Sequence, residues 1–236
     1  MCEIRPMSRT FSRLFEIGTL LGIAFNLAAC SGKTIDETDP VALMKEAEEE
    51  IKSDHYQIAL EKLKIIKNKF PYSSVAVDAQ IRVADVFYLQ ESWIEAAAAY
   101  ESFRDLHPKH PKTPYAMYRT AKSYFNDAPG TIARDLTTVT KALEAYQSFL
   151  KKFPDSAEAA EGRADVIAIR LLLAEKELYI ANFYFKNGQY HSAKPRYEKI
   201  LEQYPEVKFV AEAKEKLEKI EKMPQTDSKT EKEPSK

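Results

Sequence analysis

Between residues 41 and 222 the apolar positions recur with the spacing of one helix face rather than with the alternation of a strand. Four alanines, Ala59, Ala96, Ala142 and Ala193, anchor the pattern. Three residues before each stands Tyr56, Trp93, Val139 or Tyr190. Four residues after it stands Leu63, Tyr100, Tyr146 or Tyr197, and seven after it Ile66, Phe103, Phe149 or Ile200. Offsets of −3, 0, +4 and +7 lie on one side of an α-helix. The small alanine lets a neighbouring helix approach, and the larger residues fill the space around it. Twelve residues after each alanine comes a proline, Pro71, Pro108, Pro154 or Pro205, which pushes the residue before it out of the helical region and ends the helix.

A second alanine lies twelve residues upstream of the first in three cases, Ala47, Ala84 and Ala181. In the third unit the equivalent is Ala121, twenty-one residues upstream of Ala142, so nine residues are inserted. They fall around 126–136 (NDAPGTIARDL), where Pro129 and Gly130 predict a loop. Three residues after each upstream alanine stand Glu50, Phe87, Tyr124 and Tyr184, and the glutamate in an otherwise aromatic slot predicts a looser first unit. The unit is a helix, a tight turn, a second helix and a proline. From Asp155 to Lys186 no proline interrupts, and Gly162 is the one glycine. This predicts a single helix of about 30 residues, roughly 45 Å long. After Pro205, Val210, Ala213, Leu217 and Ile220 predict a last amphipathic helix that caps the stack. The expected fold is all-α, a solenoid of about four helix pairs plus a C-terminal capping helix over residues 41–222. Its order of small and aromatic positions resembles the tetratricopeptide repeat.

The first thirty residues read differently. Arg5, Arg9 and Arg13 precede a mostly apolar run from Leu14 to Leu27, which is short for a membrane span and right for the core of a secretory signal. Met7 is an alternative start. The run ends in Leu27-Ala28-Ala29-Cys30, which resembles the bacterial lipobox. That resemblance implies removal of residues 1–29, lipidation of the Cys30 thiol, and a lipidated polar tether over 30–40. At about 0.8 kcal/mol per buried CH₂, several acyl chains make an effectively permanent anchor. Ser31 after the cysteine resembles the outer-membrane class of such lipoproteins. Residues 223–236 (MPQTDSKTEKEPSK) lack apolar content and are expected to be a disordered polar tail.

Composition narrows the function. Hydrophobic residues make up 44% and charged residues 30%, with 6 glycines and a net charge of −1. Nothing in that balance calls for nucleic acid or an anionic surface. Two cysteines, one of them in the leader, make no disulfide framework. His107 and His110 stand in HPKHP without a companion cluster of carboxylates or thiols, so no metal site is expected. His55 and His191 are expected in the turns before second helices. No GxSxG and no glycine-rich phosphate loop occurs. The expectation is a binding protein, not an enzyme, with no cofactor beyond the covalent lipid on Cys30.

Three stretches are more specific: FRDLHPKHPKTPYAMY (103–118), ALEAYQSFLKKFPDS (142–156) and LAEKELYIANFYFKNGQ (173–189). In order, and with the third-unit insertion in place, they resemble the BamD family of outer-membrane lipoproteins of the β-barrel assembly machinery. The resemblance covers most of residues 40–222. It implies a lipid-anchored scaffold and receptor on the periplasmic face of the outer membrane. The implied partners are the POTRA domains of a BamA-like barrel protein, other lipoproteins of the machinery, and C-terminal segments of unfolded outer-membrane proteins. Carried over from tetratricopeptide arrays, first helices line the inner face. The peptide groove is then expected at Met44, Ile51, Ile81, Asp85, Tyr88, Tyr115, Tyr118, Lys122 and Phe125, and Lys194 and Arg196 are expected to face the POTRA partner. Family members commonly carry a further helix after the last one here. That departure leaves open a different repeat lipoprotein, a pilotin for a secretin pore or a cell-envelope coordination factor.

Overall fold

A computed structural model describes residues 38–223 of the chain. The leader, Cys30, the tether before residue 38 and the tail after 223 lie outside the described residues. Within them nine α-helices follow one another: α1 (Pro40–Lys52), α2 (Tyr56–Lys69), α3 (Ala76–Leu89), α4 (Trp93–Leu106), α5 (Thr113–Asn126), α6 (Thr137–Lys152), α7 (Ala159–Lys186), α8 (Tyr190–Gln203) and α9 (Val210–Glu221). Each helix packs against the next, with weaker contacts from α1 to α3 and from α5 to α7. Such nearest-neighbour packing is the signature of a repeat stack. Among the described residues no helix is long and apolar enough to cross a membrane.

The four prolines set the joints between units. The residue before each one, Phe70, His107, Phe153 and Tyr204, has left the helical region, with φ between −127° and −134° and ψ between 50° and 62°. Steric conflict with the proline ring predicts this displacement. In each case the backbone N–H still donates to the carbonyl four residues back, on Ile66, Phe103, Phe149 and Ile200. Two successive turns then lead into the next helix, as in Ser73 N–H to Phe70 C=O and Ala76 N–H to Ser73 C=O. Residues 108–112, 154–158 and 205–209 repeat that pattern. The same turns consume the first residues expected in the long helix, so α7 begins at Ala159 and is 28 residues long.

Within units one, two and four the turn is tight because one residue adopts a left-handed backbone: Asp54 (φ 59°), Glu91 (φ 57°) and Gly188 (φ 72°). All three stand seven residues after the upstream alanine. In unit three the inserted residues replace that turn. Lys176 of α7 secures them, its ammonium donating to the carbonyls of Ile132 (2.6 Å), Ala133 (3.1 Å) and Arg134 (3.0 Å).

The core follows the sequence register. Ala47, Ala84, Ala121 and Ala181, and Ala59, Ala96, Ala142 and Ala193, are fully buried. So are Leu63, Tyr100, Tyr146 and Tyr197 at the +4 positions. Each apolar cluster joins a helix pair to the first helix of the next: α1–α2 to α3, α3–α4 to α5, α5–α6 to α7, and α7–α8 to α9. Helix α7 serves twice. Ile169 in its first half closes the third cluster, and Ala174, Leu178 and Ala181 in its second half build the fourth. Gly162 is buried where α7 crosses α6; a Cβ there would meet Phe149 Cε1 at 3.1 Å. Helix α9 covers the last cluster with Ala213.

His191 is the second residue of α8 and exposed, not in the preceding turn, because the cap position is taken by Gln189. His55 does occupy the turn, as the residue before α2, where its Nδ1 lies 2.9 Å from Oε2 of Glu50. That bond gives the odd glutamate of unit one a partner.

Candidate functional site

The first helices of the first three units share a register of 37 residues. Positions −3 and +4 from the upstream alanine lie on the alanine's own stripe, which faces the core. Three residues expected to line the groove belong to the interior: Ile51 is 8% exposed, Ile81 1% and Tyr118 5%. Tyr88, at the same +4 offset as Ile51, remains half-buried. Met44 and Phe125 are partly buried and pack against the first and third clusters. The open stripe is the next one round, at positions −2 and +1.

Those positions carry a charged ladder across successive first helices. Glu48 of α1 accepts from Arg82 of α3 through both carboxylate oxygens, at 2.6 and 2.7 Å. Arg82 also donates to Oδ2 of Asp85 at 2.9 Å. The other oxygen of Asp85 accepts from Tyr100 of α4 at 2.6 Å and from Tyr115 of α5 at 2.9 Å. Further along, Lys122 of α5 donates to both oxygens of Asp165 (3.1 and 2.9 Å) and to Glu161 (3.2 Å) on α7. Tyr146 donates to Asp165 at 2.5 Å. The buried charges are thus paired and hydrogen-bonded, which such groups require. Burial first, and then the Asp85 charge, push the Tyr100 hydroxyl well above its usual range and raise that of Tyr115. Bonds from Tyr118 and Lys122 hold the Glu161 carboxyl below its usual range.

Arg119 of α5 is an addition to the expected set. Its guanidinium lies over the Tyr88 ring, 4.3 Å from the centroid, and 5.2 Å from that of Tyr115. Tyr88 is held from both sides: its hydroxyl accepts from Asn126 at 3.0 Å, and its ring meets Trp93 edge-on at 5.0 Å. Arg82, Arg119, Glu161 and Asp165 were not expected. Only Arg82 and Arg119 carried a signal, being 37 residues apart at matching positions.

The C-terminal half carries a second charged group. Glu177 of α7 is 7% exposed and accepts from Arg196 (2.9 Å) and Lys199 (2.5 Å) of α8. Arg196 thus holds α8 to α7 as well as reaching the surface. Lys194 is partly exposed, its ammonium 3.7 Å from Glu198. Tyr179 and Phe183, one turn apart on α7, are more than half exposed. Tyr197 donates to Asn182 at 2.6 Å, and burial with the Glu212 charge pushes its hydroxyl up to about 12.

His107 and His110 flank the Phe103 ring at 5.1 and 5.3 Å between centroids. His107 Nε2 bonds the Gln80 side-chain oxygen at 2.9 Å, and His110 Nδ1 accepts from the Lys112 backbone N–H. Among the described residues no three His, Cys, Asp or Glu side chains are grouped to hold a metal.

Residues 36–235 match the family model described as YfiO, outer membrane lipoprotein. The chain is 30% identical over 209 residues to outer membrane protein assembly factor BamD of Neisseria meningitidis, covering 82% of this chain and 78% of that one. It is 23% identical to BamD of Vibrio cholerae, covering 93% of each chain. A solved tetratricopeptide repeat protein from Parabacteroides merdae aligns with 77% of this chain and 73% of its own, at a TM-score of 0.41 and 16% identity. With a family model matched over most of its length and a relative at that level of identity, the chain belongs to the BamD (YfiO) family.

Proposed function

We propose that the protein is an assembly factor for β-barrel proteins of the outer membrane. In this reading it is anchored through a lipid on Cys30 and works on the periplasmic face. It acts by binding, as scaffold and receptor, and carries out no chemistry of its own. The first-helix face of units one to three receives extended C-terminal segments of unfolded barrel proteins. The observation that carries this reading is the Tyr88–Arg119–Tyr115 group, a partly buried aromatic and cationic surface on a frame made rigid by the Glu48–Arg82–Asp85 ladder. Apolar contact takes alternate side chains of an extended peptide, and polar groups take its backbone. The C-terminal half docks the POTRA domains of a BamA-like barrel protein. Support there comes from the exposed Tyr179 and Phe183 on α7 and the cationic edge of Lys194 and Arg196 on α8. Aromatic and arginine side chains are the usual anchors of protein interfaces.

The test is a pull-down of the full chain from gently solubilised outer membranes, read by mass spectrometry. A BamA-like barrel protein should co-purify in near-stoichiometric amount. Its consistent absence, with secretin or pilus components in its place, would refute the reading.

A further inference from the structure

The net charge of −1 conceals an uneven distribution. Helices α1 and α2 run antiparallel, and Lys62 donates to Glu46 at 2.8 Å, so their pairing is centred on the turn and Pro40 comes beside the end of α2. The chain therefore enters the stack on the edge that carries the proline joints. On that edge the second helices end in cations: Lys67 and Lys69 in α2, Arg104 in α4, Lys151 and Lys152 in α6. Lys109 and Lys112 stand in the second joint. Arg104 is paired with Asp105, and Lys112 with Asp78. Lys67 and Lys109 are exposed and have no carboxylate within ion-pair distance among the described residues. The opposite edge of units one and two, where the tight turns lie, exposes Asp54, Glu91 and Glu95 against Lys52.

Apolar exposure follows the joint edge too. Tyr72 is fully exposed and Leu106 is 62% exposed. The residue after each joint proline is, in turn, Tyr72, Lys109, Asp155 and Glu206. That position is aromatic or cationic in units one and two and acidic in the later ones. Tyrosine and lysine are side chains that settle at a lipid headgroup boundary, the ring at its apolar margin and the ammonium at the phosphates. The tether sets the distance. Ten residues separate Cys30 from Pro40 and reach at most about 36 Å. A lipid on Cys30 keeps this end of the stack within that distance of a bilayer.

We propose that the joint edge of units one and two rests on an anionic phospholipid surface, with Lys67, Lys69 and Lys109 at the lipid phosphates and Tyr72 and Leu106 at the boundary with the acyl chains. The inference rests on the lipid-anchor reading above and deepens it. The anchor supplies the membrane affinity, and the edge decides which side of the stack faces the bilayer. The turn edge, with Asp54, Glu91 and Glu95, is repelled by the same surface. A few cations and two apolar side chains make a weak contact alone. The anchor makes it persistent by holding the edge at high effective concentration.

The full chain, purified in detergent, is diluted onto preformed vesicles of phosphatidylcholine alone or with phosphatidylglycerol added. A membrane-impermeant acetylating ester then labels lysines, and mass spectrometry gives the rate at each one. On the anionic vesicles Lys67, Lys69 and Lys109 should label several-fold more slowly than on the neutral ones. Lys52 on the turn edge and Lys214 on α9, both exposed, should keep their rates. At 1 M salt, where screening acts within about 3 Å, the protection should vanish. Tyr72→Ser combined with Leu106→Ser, both at exposed positions, should reduce it while the melting temperature holds. No slowing at the three edge lysines, or equal slowing at Lys52, overturns the inference and leaves the edge to a protein partner with an acidic surface. Flotation with neutral vesicles at high salt tests the anchor by itself. A chain that fails to float refutes the lipid reading, and labelling on anionic vesicles at low salt still decides the edge.

Discussion

The Tyr100 hydroxyl donates to Oδ1 of Asp85, fifteen residues earlier, at 2.6 Å. Tyr197 repeats the relationship with Asn182, at the same spacing and the same distance. In both units the core tyrosine of the second helix is tied to the residue following the core alanine of the first. The acceptors differ in charge, which separates their strengths, since bonds to ionised groups are stronger. Tyr100→Phe should cost about 1.5–3 kcal/mol and Tyr197→Phe about 1 kcal/mol. Urea denaturation followed by circular dichroism should rank them in that order. Equal losses would show that the Asp85 carboxylate is satisfied by Arg82 and Tyr115 alone.

Glu91 holds the left-handed turn position that Gly188 fills in unit four. A side chain there costs roughly 1–2 kcal/mol through crowding of Cβ against the following carbonyl. Glycine loses more entropy on ordering, about 0.5–1 kcal/mol. The balance predicts that Glu91→Gly raises stability by roughly 0.5–1 kcal/mol, and thermal melting should show a rise of a few degrees. Gly188→Val should move the other way.

The repeat register was legible in the sequence because it is the core. Ala47 and Ala59 and their counterparts recur at fixed offsets, and each unit buries them alike. The joints were legible too, since proline acts on its immediate neighbour. The open face was harder to read. Arg82 meets Glu48 thirty-four residues away, and Lys122 meets Asp165 forty-three away across the insertion. Nothing local marks either pair. Ile51, Ile81 and Tyr118 were placed on the groove because they stand on first helices, but their offsets put them on the core stripe. Arg119 left one faint trace in the sequence, its 37-residue spacing from Arg82.

The third-unit loop is fastened by one side chain. Lys176 donates to three successive carbonyls, and Arg134 in that loop is exposed. Lys176→Met keeps the aliphatic stem and removes the donors. Trypsin should then cut after Arg134 several-fold faster, with the melting temperature little changed, because local opening rather than global unfolding limits the cut. An unchanged cleavage rate would mean that packing alone holds the loop.

His107 should make stability depend on pH. Burial first, and then the neighbouring His110, hold its pKa below the usual histidine value. The unfolded chain therefore binds the proton more readily than the folded one, so stability rises with pH through this window. The contribution is complete above about pH 6.5, the unfolded value. It is lost as pH falls through the lower folded value. His107→Asn, which keeps a donor for Gln80, should flatten melting temperature against pH between 7 and 5. A slope as steep as that of the unmodified chain would assign the dependence elsewhere.

Arg196 combines two duties that Lys194 does not. Its guanidinium bonds the nearly buried Glu177, which Lys199 also meets. Arg196→Glu would set a second carboxylate against Glu177 and leave Lys199 as its one cation. The expected loss is roughly 1–3 kcal/mol, within the range for breaking one link of a buried charged group. Any weaker POTRA binding by that variant would then mix lost contact with a loosened α7–α8 pair. Lys194 is partly exposed, and its contact to Glu198 is long, so Lys194→Glu should leave stability within about 0.5 kcal/mol. If the cationic edge of α8 meets a partner, Lys194→Glu should slow association, steeply so at low salt, while dissociation changes little. Surface plasmon resonance at two ionic strengths measures both rates. Unchanged association at low salt would remove Lys194 from the interface, and Arg196→Met, which keeps much of the packing, would then test Arg196 without the added repulsion.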